Sequence, residues 1–186
     1  MLRRIRSLVP TALLLAAIVV SASPPAALAA DRQKLATSSD NALKSLCAGN
    51  TAAKLLNEKA RAVLVFPNIV KAGFMFGGQV GDGALLKSGR VAGYYNSVAA
   101  SYGLQAGLQV FGYALFFMND AALAYLDKSG GWEIGVGPSI VVVDAGIGKT
   151  LNSTTITQDV YAFIFDQKGL MAGIGIQGSK ITKLAD

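Results

Sequence analysis

An α+β domain is the fold class this sequence predicts, with helices first and a glycine-rich sheet after them. Three observations carry that prediction. Apolar residues between Leu35 and Val63 are spaced for helices, alternation takes over from Val63 onward, and short turn-forming stretches join neighbouring apolar runs. The expected architecture is a set of N-terminal helices packed on a strongly curved, mostly antiparallel β-sheet or barrel-like sandwich, with one short inserted helix. One domain at residues 30–186 suits the length of 186 residues, with 30–61 helical and 62–186 mainly β. At 52% apolar and 15% charged residues, the chain can bury enough surface to order itself.

The first segment reads as an address. Arg3, Arg4 and Arg6 precede an apolar run from Val9 to Val20, and small residues follow, ending in Ala27-Leu28-Ala29. That is the layout of a cleaved export signal over residues 1–29, with cutting before Ala30. The run is short for a membrane span and contains Pro10. Loss of three arginines leaves 14 basic against 11 acidic residues and lowers the net charge from +6 to +3. No cluster of Lys and Arg survives that would suit nucleic acid. The single cysteine, Cys47, is far from the cleavage point, so it is not a lipid-bearing cysteine. It reads as a small core residue or, in an oxidising compartment, as a partner for intermolecular pairing.

Each element then follows in order. Leu35/Ala36, Ala42/Leu43 and Leu46/Cys47 form one helical stripe that Gly49-Asn50 stops, although Ser38-Ser39-Asp40 can break it early. Thr51 can cap a second helix with Ala52, Leu56, Ala60 and Val63 on one side. Gly77, Gln79, Gly81 and Gly83 lie on one face of a predicted strand. Leu104, Ala106, Leu108 and Val110 oppose Gly103, Gln105, Gly107 and Gln109 in another. The same pattern returns around Glu133, Gly135 and Gly137, and again in Ala172, Ile174 and Ile176 against Gly173, Gly175 and Gln177. So much glycine in strands points to curvature, bulges or close approach of another backbone. Phe111 to Met118, Ile140 to Val143 and Val160 to Phe165 are apolar on both faces, which requires cover on both sides. Ala121 to Leu126 reads as a short helix capped by Asn119 or Asp120, and Asp166-Gln167-Lys168-Gly169 as a hairpin turn.

Catalysis finds little support. The chain has no histidine, which removes Ser-His-Asp and Cys-His nucleophile pairs and every His-bearing metal site. Asp144-Ala145-Gly146-Ile147-Gly148-Lys149-Thr150 resembles a phosphate loop, but Val143 stands where the first glycine belongs and helix formers do not follow. Gly173-Ile174-Gly175-Ile176-Gln177-Gly178 has the letters of a dinucleotide fingerprint with only eight residues beyond it, so it reads as a strand. Asp120, Asp127, Asp144 and Asp166 fall at predicted element ends, where capping and turns explain them. The reading is of no enzyme, no cofactor, no metal and no nucleic-acid partner.

Ala62-Val63-Leu64-Val65-Phe66-Pro67-Asn68, followed by Lys71-Ala72-Gly73-Phe74, resembles the opening block of the SYLF domain family. Gly93-Tyr94-Tyr95, Tyr102 to Gly107, Ala114 to Met118, Gly131 to Gly135, Val143 to Gly146 and Val160 to Thr182 continue the resemblance, from about Leu35 onward. It implies lipid binding. Eukaryotic members of that family associate with phosphoinositide membranes and actin, often beside a C-terminal Src-homology module, for which this chain leaves no room. Exported bacterial members are the nearer type, so actin is not the expected partner. Either an anionic envelope phospholipid or a host lipid, phosphoinositide included, fits.

The candidate lipid-binding residues are the cations bordering the helical region: Arg32, Lys34, Lys44, Lys54, Lys59, Arg61 and Lys71. Lys71 and Lys168 lie inside matching blocks. Each basic group near an anionic surface contributes ~1 kcal/mol, so several give weak, salt-sensitive peripheral attachment. The expected place is the periplasm, the cell envelope or outside the cell. The alternative is a structural envelope protein whose glycine-rich sheet face, with Gly103, Gly107, Gly173 and Gly175, receives a protein partner or the chain's own helices.

Overall fold

The computed structural model describes residues 25–74, 76–102, 107–152, 154–169 and 175–185. The predicted signal therefore lies almost wholly outside the described residues, as do Gly103 and Gly173.

Helix α1 spans Pro25–Gly49 and α2 spans Thr51–Lys59. The anticipated break at Ser38-Ser39-Asp40 does not occur. Ser39 is fully buried and its hydroxyl donates to the Val65 carbonyl at 3.2 Å, so a side chain that competes with helix in water has a tertiary acceptor instead. Asn50, not Thr51, caps α2, its side-chain oxygen accepting from the Ala53 amide at 3.0 Å. The helix ends at Lys59, and Val63 belongs to the first strand.

Strands β1 (Ala62–Phe74), β2 (Phe76–Lys87), β3 (Arg90–Tyr102) and β4 (Gly107–Phe117) form the long centre of the sheet. After β4 comes α3 (Asp120–Leu123), which runs into a 3-10 turn at Ala124–Asp127. Then follow β5 (Trp132–Glu133), β6 (Ile140–Val142), α4 (Ala145–Thr150), β7 (Val160–Gly169) and β8 (Lys180–Lys183). The spatial order is β5-β8-β3-β2-β1-β4-β7-β6, antiparallel throughout except for the parallel β6–β7 pair, and the sheet curls into a half-barrel. Fold class and inserted helix are as predicted, with Asn119 rather than Asp120 as the cap.

Both faces are buried in β4 from Phe111 to Phe117 and in β7 from Val160 to Phe163, where the prediction asked for cover, but edge strand β6 lacks it, Val142 being 45% exposed. The inner face carries Leu64, Phe66, Phe111, Tyr113 and Leu115 against Leu126, Trp132 and Ile134. The outer face carries Val63, Val65, Phe116, Tyr161 and Phe163 against Leu43, Ala53 and Leu56 of the helices. Full burial of a side chain such as Leu56 contributes about 2 kcal/mol, and this apolar layer is what holds two short-range helices in place.

Three strand expectations are corrected. Asp166 to Gly169 is no hairpin turn: β7 continues through it, with Lys168 paired to Val110 and Gly169 to Gln109 after an irregularity at which Asp166 has φ +50°. The Glu133–Gly137 alternation gives a strand of only two residues, because Gly135 and Gly137 adopt left-handed conformations that end it. Residues 175–179 form a turn before β8 rather than a strand, and 170–174 lie outside the described residues. The helices also avoid the glycine-rich face and pack on the opposite one.

The register of β1 shifts against both neighbours at Pro67-Asn68. A proline has no N–H for a ladder, so the strand bulges there. Gly83 makes room for that bulge: a Cβ on it would stand 2.5 Å from the Val65 carbonyl oxygen and 2.7 Å from Phe66 Cδ1. We expect Gly83→Ala to destabilise the fold by about 1–3 kcal/mol. Gly148→Ala in α4, where the new methyl meets only ordinary contacts at 3.6 and 3.8 Å, gains up to about 1 kcal/mol. Urea unfolding of the two variants beside the parent checks the opposite signs.

Candidate functional site

The seven sequence-predicted cations do not form one site. On α1, Arg32 lies over the Tyr94 ring, 5.6 Å from its centroid, and its guanidinium donates to the Ala185 carbonyl. This arginine ties the start of α1 to the segment after β8. Lys34 borders a hollow shared with Asp31, Asn68 and Asp82. Lys44 pairs with Asp40 one turn away at 2.6 Å and lines a different groove, between the helices and the strand ends, with Cys47 and Glu58. Lys54 and Lys59 are exposed on α2, and Arg61 approaches Asp120 at 4.0 Å.

Lys71 is a correction to the expectation of a surface cation. It is 4% exposed on the inner face of β1, in register with Gln79 of β2 and Gln109 of β4. The bulge at Pro67-Asn68 sets which face it takes. Around this row lies a buried polar layer. Gln79 Nε2 donates to Ser179 Oγ at 2.9 Å, and the Tyr113 hydroxyl donates to Ser97 Oγ at 2.6 Å. Burial holds the Tyr113 phenol well above its ordinary range, partly offset by the Ser97 bond. Gln109 Oε1 is buried with no hydrogen-bond partner among the described residues.

The groups that looked chemical are committed to structure. Asp144 caps α4 by accepting from the Gly146 and Ile147 amides, both at 2.8 Å. The phosphate-loop look-alike is thus itself a short helix, and its own carboxylate occupies the amides that a phosphate would need. Burial, and then the nearby Glu58 charge, raises the Cys47 thiol above its ordinary value, which disfavours the reactive thiolate. Among the described residues no group of three or more Cys, Asp or Glu side chains could hold a metal ion.

Sequence reasoning missed the position of the sheet lysines. The sequence reading puts Lys168 in a turn and does not single out Lys180. Both stand exposed on strands, on the outer face. The available signal was the alternation Tyr161, Phe163, Phe165, which continues to Lys168 once the extra residue at the bulge is counted.

No curated protein matches this chain. A family model, Ysc84, described as Las17-binding protein actin regulator, matches residues 98–186, from the middle of β3 to the end of the chain. The resemblance to the SYLF family is shown over that stretch, and it is a resemblance to a binding domain.

Asp159 gives a pH test of the scaffold around β6 and β7. Its carboxylate accepts from the Ser139 amide and hydroxyl, each at 2.9 Å, and from Asn119 Nδ2 at 2.8 Å. The Ser139 amide bond, then the side-chain bonds of Asn119 and Ser139, lower its pKa from 3.8. A depressed folded pKa adds stability that is present above the unfolded value and lost as pH falls through the folded one. Asp159→Asn should therefore lower the urea midpoint at neutral pH, and the gap to the parent should close on acidification below 3.8. Urea midpoints measured across the acid range check this.

Proposed function

We propose that this SYLF-like chain is a non-catalytic, exported module that attaches peripherally to anionic phospholipid surfaces, phosphoinositides included. One observation carries the reading: the three ion pairs among the described residues take as many cations as acids, so the excess of 14 basic over 11 acidic residues beyond residue 29 is left intact. Asp40, Asp120 and Asp127 are in ion pairs, Asp144 and Asp159 accept backbone amides, and Asp82 accepts from Asn96 at 2.7 Å. Lys34, Lys54, Lys59, Lys149, Lys168 and Lys180 form no ion pair with a described residue. The hydrogen-bonded acids keep their charge, and the net balance of about +3 beyond residue 29 is what favours an anionic surface. The family match supports a binding role, and no helix among the described residues is long and apolar enough to cross a membrane.

A second reading, a protein partner seated on the glycine-rich sheet face, is favoured by the matched family's name, which refers to a protein it binds. Gly107 supports it in part, since no atom lies within 4 Å of where its Cβ would stand.

Vesicle pelleting separates the two. We expect co-sedimentation with vesicles containing phosphatidylglycerol or a phosphoinositide, and none with phosphatidylcholine alone. Raising ionic strength from ~0.1 M to ~1 M cuts the screening length from about 10 Å to about 3 Å and should release the protein. Equal pelleting with neutral and acidic vesicles, unaffected by salt, would sink the membrane reading.

A further inference from the structure

The outer face of the sheet is divided by the bulge in β1. On one side α1 and α2 cover Val63, Val65 and Phe116. On the other side, one cross-strand row runs over six strands: Lys180, Val98, Val80, Val70, Val110 and Lys168. Directly opposed residues of antiparallel strands share a face, so the four valines form a continuous apolar stripe with a lysine at each end. Val98, Val80 and Val70 are 48%, 49% and 41% exposed. The next row toward the strand tips is Ala100, Gly78, Ala72 and Leu108. It is uncharged, Leu108 is 59% exposed, and Phe76 beyond Gly78 on the same face is 69% exposed. An apolar patch of this continuity on a surface marks an interaction site.

We propose that this stripe is the membrane-contact surface. Its valines, with Leu108 and Phe76, enter the boundary between headgroups and acyl chains of an anionic leaflet, while Lys168 and Lys180 reach outward to phosphates. The inference rests on the membrane reading above and moves the contact from the helix cations to the sheet. The charge pattern selects the occupant. Long lysine stems lie along apolar surface and keep their ammonium groups at the headgroup level, which suits a stripe capped at both ends. A second copy of this chain fits less well: a two-fold axis along or across the row sets lysine against lysine. Glu133, opposite Lys180 in register, softens that charge at one end only.

The test uses the full mature chain and vesicles of equimolar phosphatidylglycerol and phosphatidylcholine. Val80→Thr with Val98→Thr keeps strand preference and removes apolar contact, so we expect binding to fall by about tenfold with the thermal melt unchanged. Lys168→Ala with Lys180→Ala should weaken binding by about thirtyfold at low salt. Lys54→Ala with Lys59→Ala on α2 should change it little. If the parent pellets and both sheet variants pellet equally well, the stripe is not the contact, although the membrane reading stands. If the parent pellets with no vesicle, the membrane reading falls and this inference with it. If the parent sediments as a dimer that Val80→Thr dissociates, the stripe joins copies of the chain and the proposal is overturned.

Discussion

The bulge at Pro67-Asn68 in β1 is the constraint on which the rest of this structure depends. Before it, the outer face of the sheet is packed under two helices; after it, Val70, Val80 and Val98 on the same face of the same strands are exposed. The bulge also fixes which side chains turn inward, because a shift of one residue exchanges the faces of a strand. Val70 is thereby outward and Lys71 inward. Ser39 fastens α1 to the Val65 carbonyl beside this irregularity, so the edge of the helix layer and the irregularity in the strand coincide.

That arrangement separates two kinds of polar chemistry. Inside the curl, Lys71, Gln79, Ser97, Gln109 and Ser179 form a buried layer, where Gln79 bonds to Ser179 and Ser97 to Tyr113, as low-dielectric surroundings demand. Gln109 Oε1 finds no partner among the described residues. Outside, charged groups remain in water, where their attraction for a surface is long-ranged at low salt and individually weak. Shifted titrations fall on capping, burial and turn positions such as Asp159 and Tyr113. Both groups hold the scaffold together through hydrogen bonds, Asp159 to Ser139 and Asn119, and Tyr113 to Ser97.

Much of this was legible beforehand. Helical spacing from Leu35, alternation from Val63 and two-sided apolar runs gave the class, the changeover near Ala62 and the inserted helix, since each rests on local periodicity. What local periodicity cannot carry is a long-range partner. Ser39 looked like a helix breaker because its acceptor is twenty-six residues away. Asp166-Gln167-Lys168-Gly169 has the composition of a hairpin turn, yet β4 supplies partners that hold it as a distorted strand. Lys71 looked like a surface cation because its polarity was visible and the bulge that redirects it was not. The candidate site suffered most from this, as the placement of cations depends on register, and register is a property of pairs of strands.

Strand β8 sits between β5 and β3, and Arg32 on α1 reaches the carbonyl of Ala185 just beyond it. The half-barrel is thus fastened by its two distant ends. A ribosome-bound chain that has not yet released residues 180–185 leaves β3 with an open edge and β5 with no strand to join. Such a chain cannot complete the order of the sheet until synthesis has passed that point, so β5 and the outer edge of β3 are the last parts to find partners.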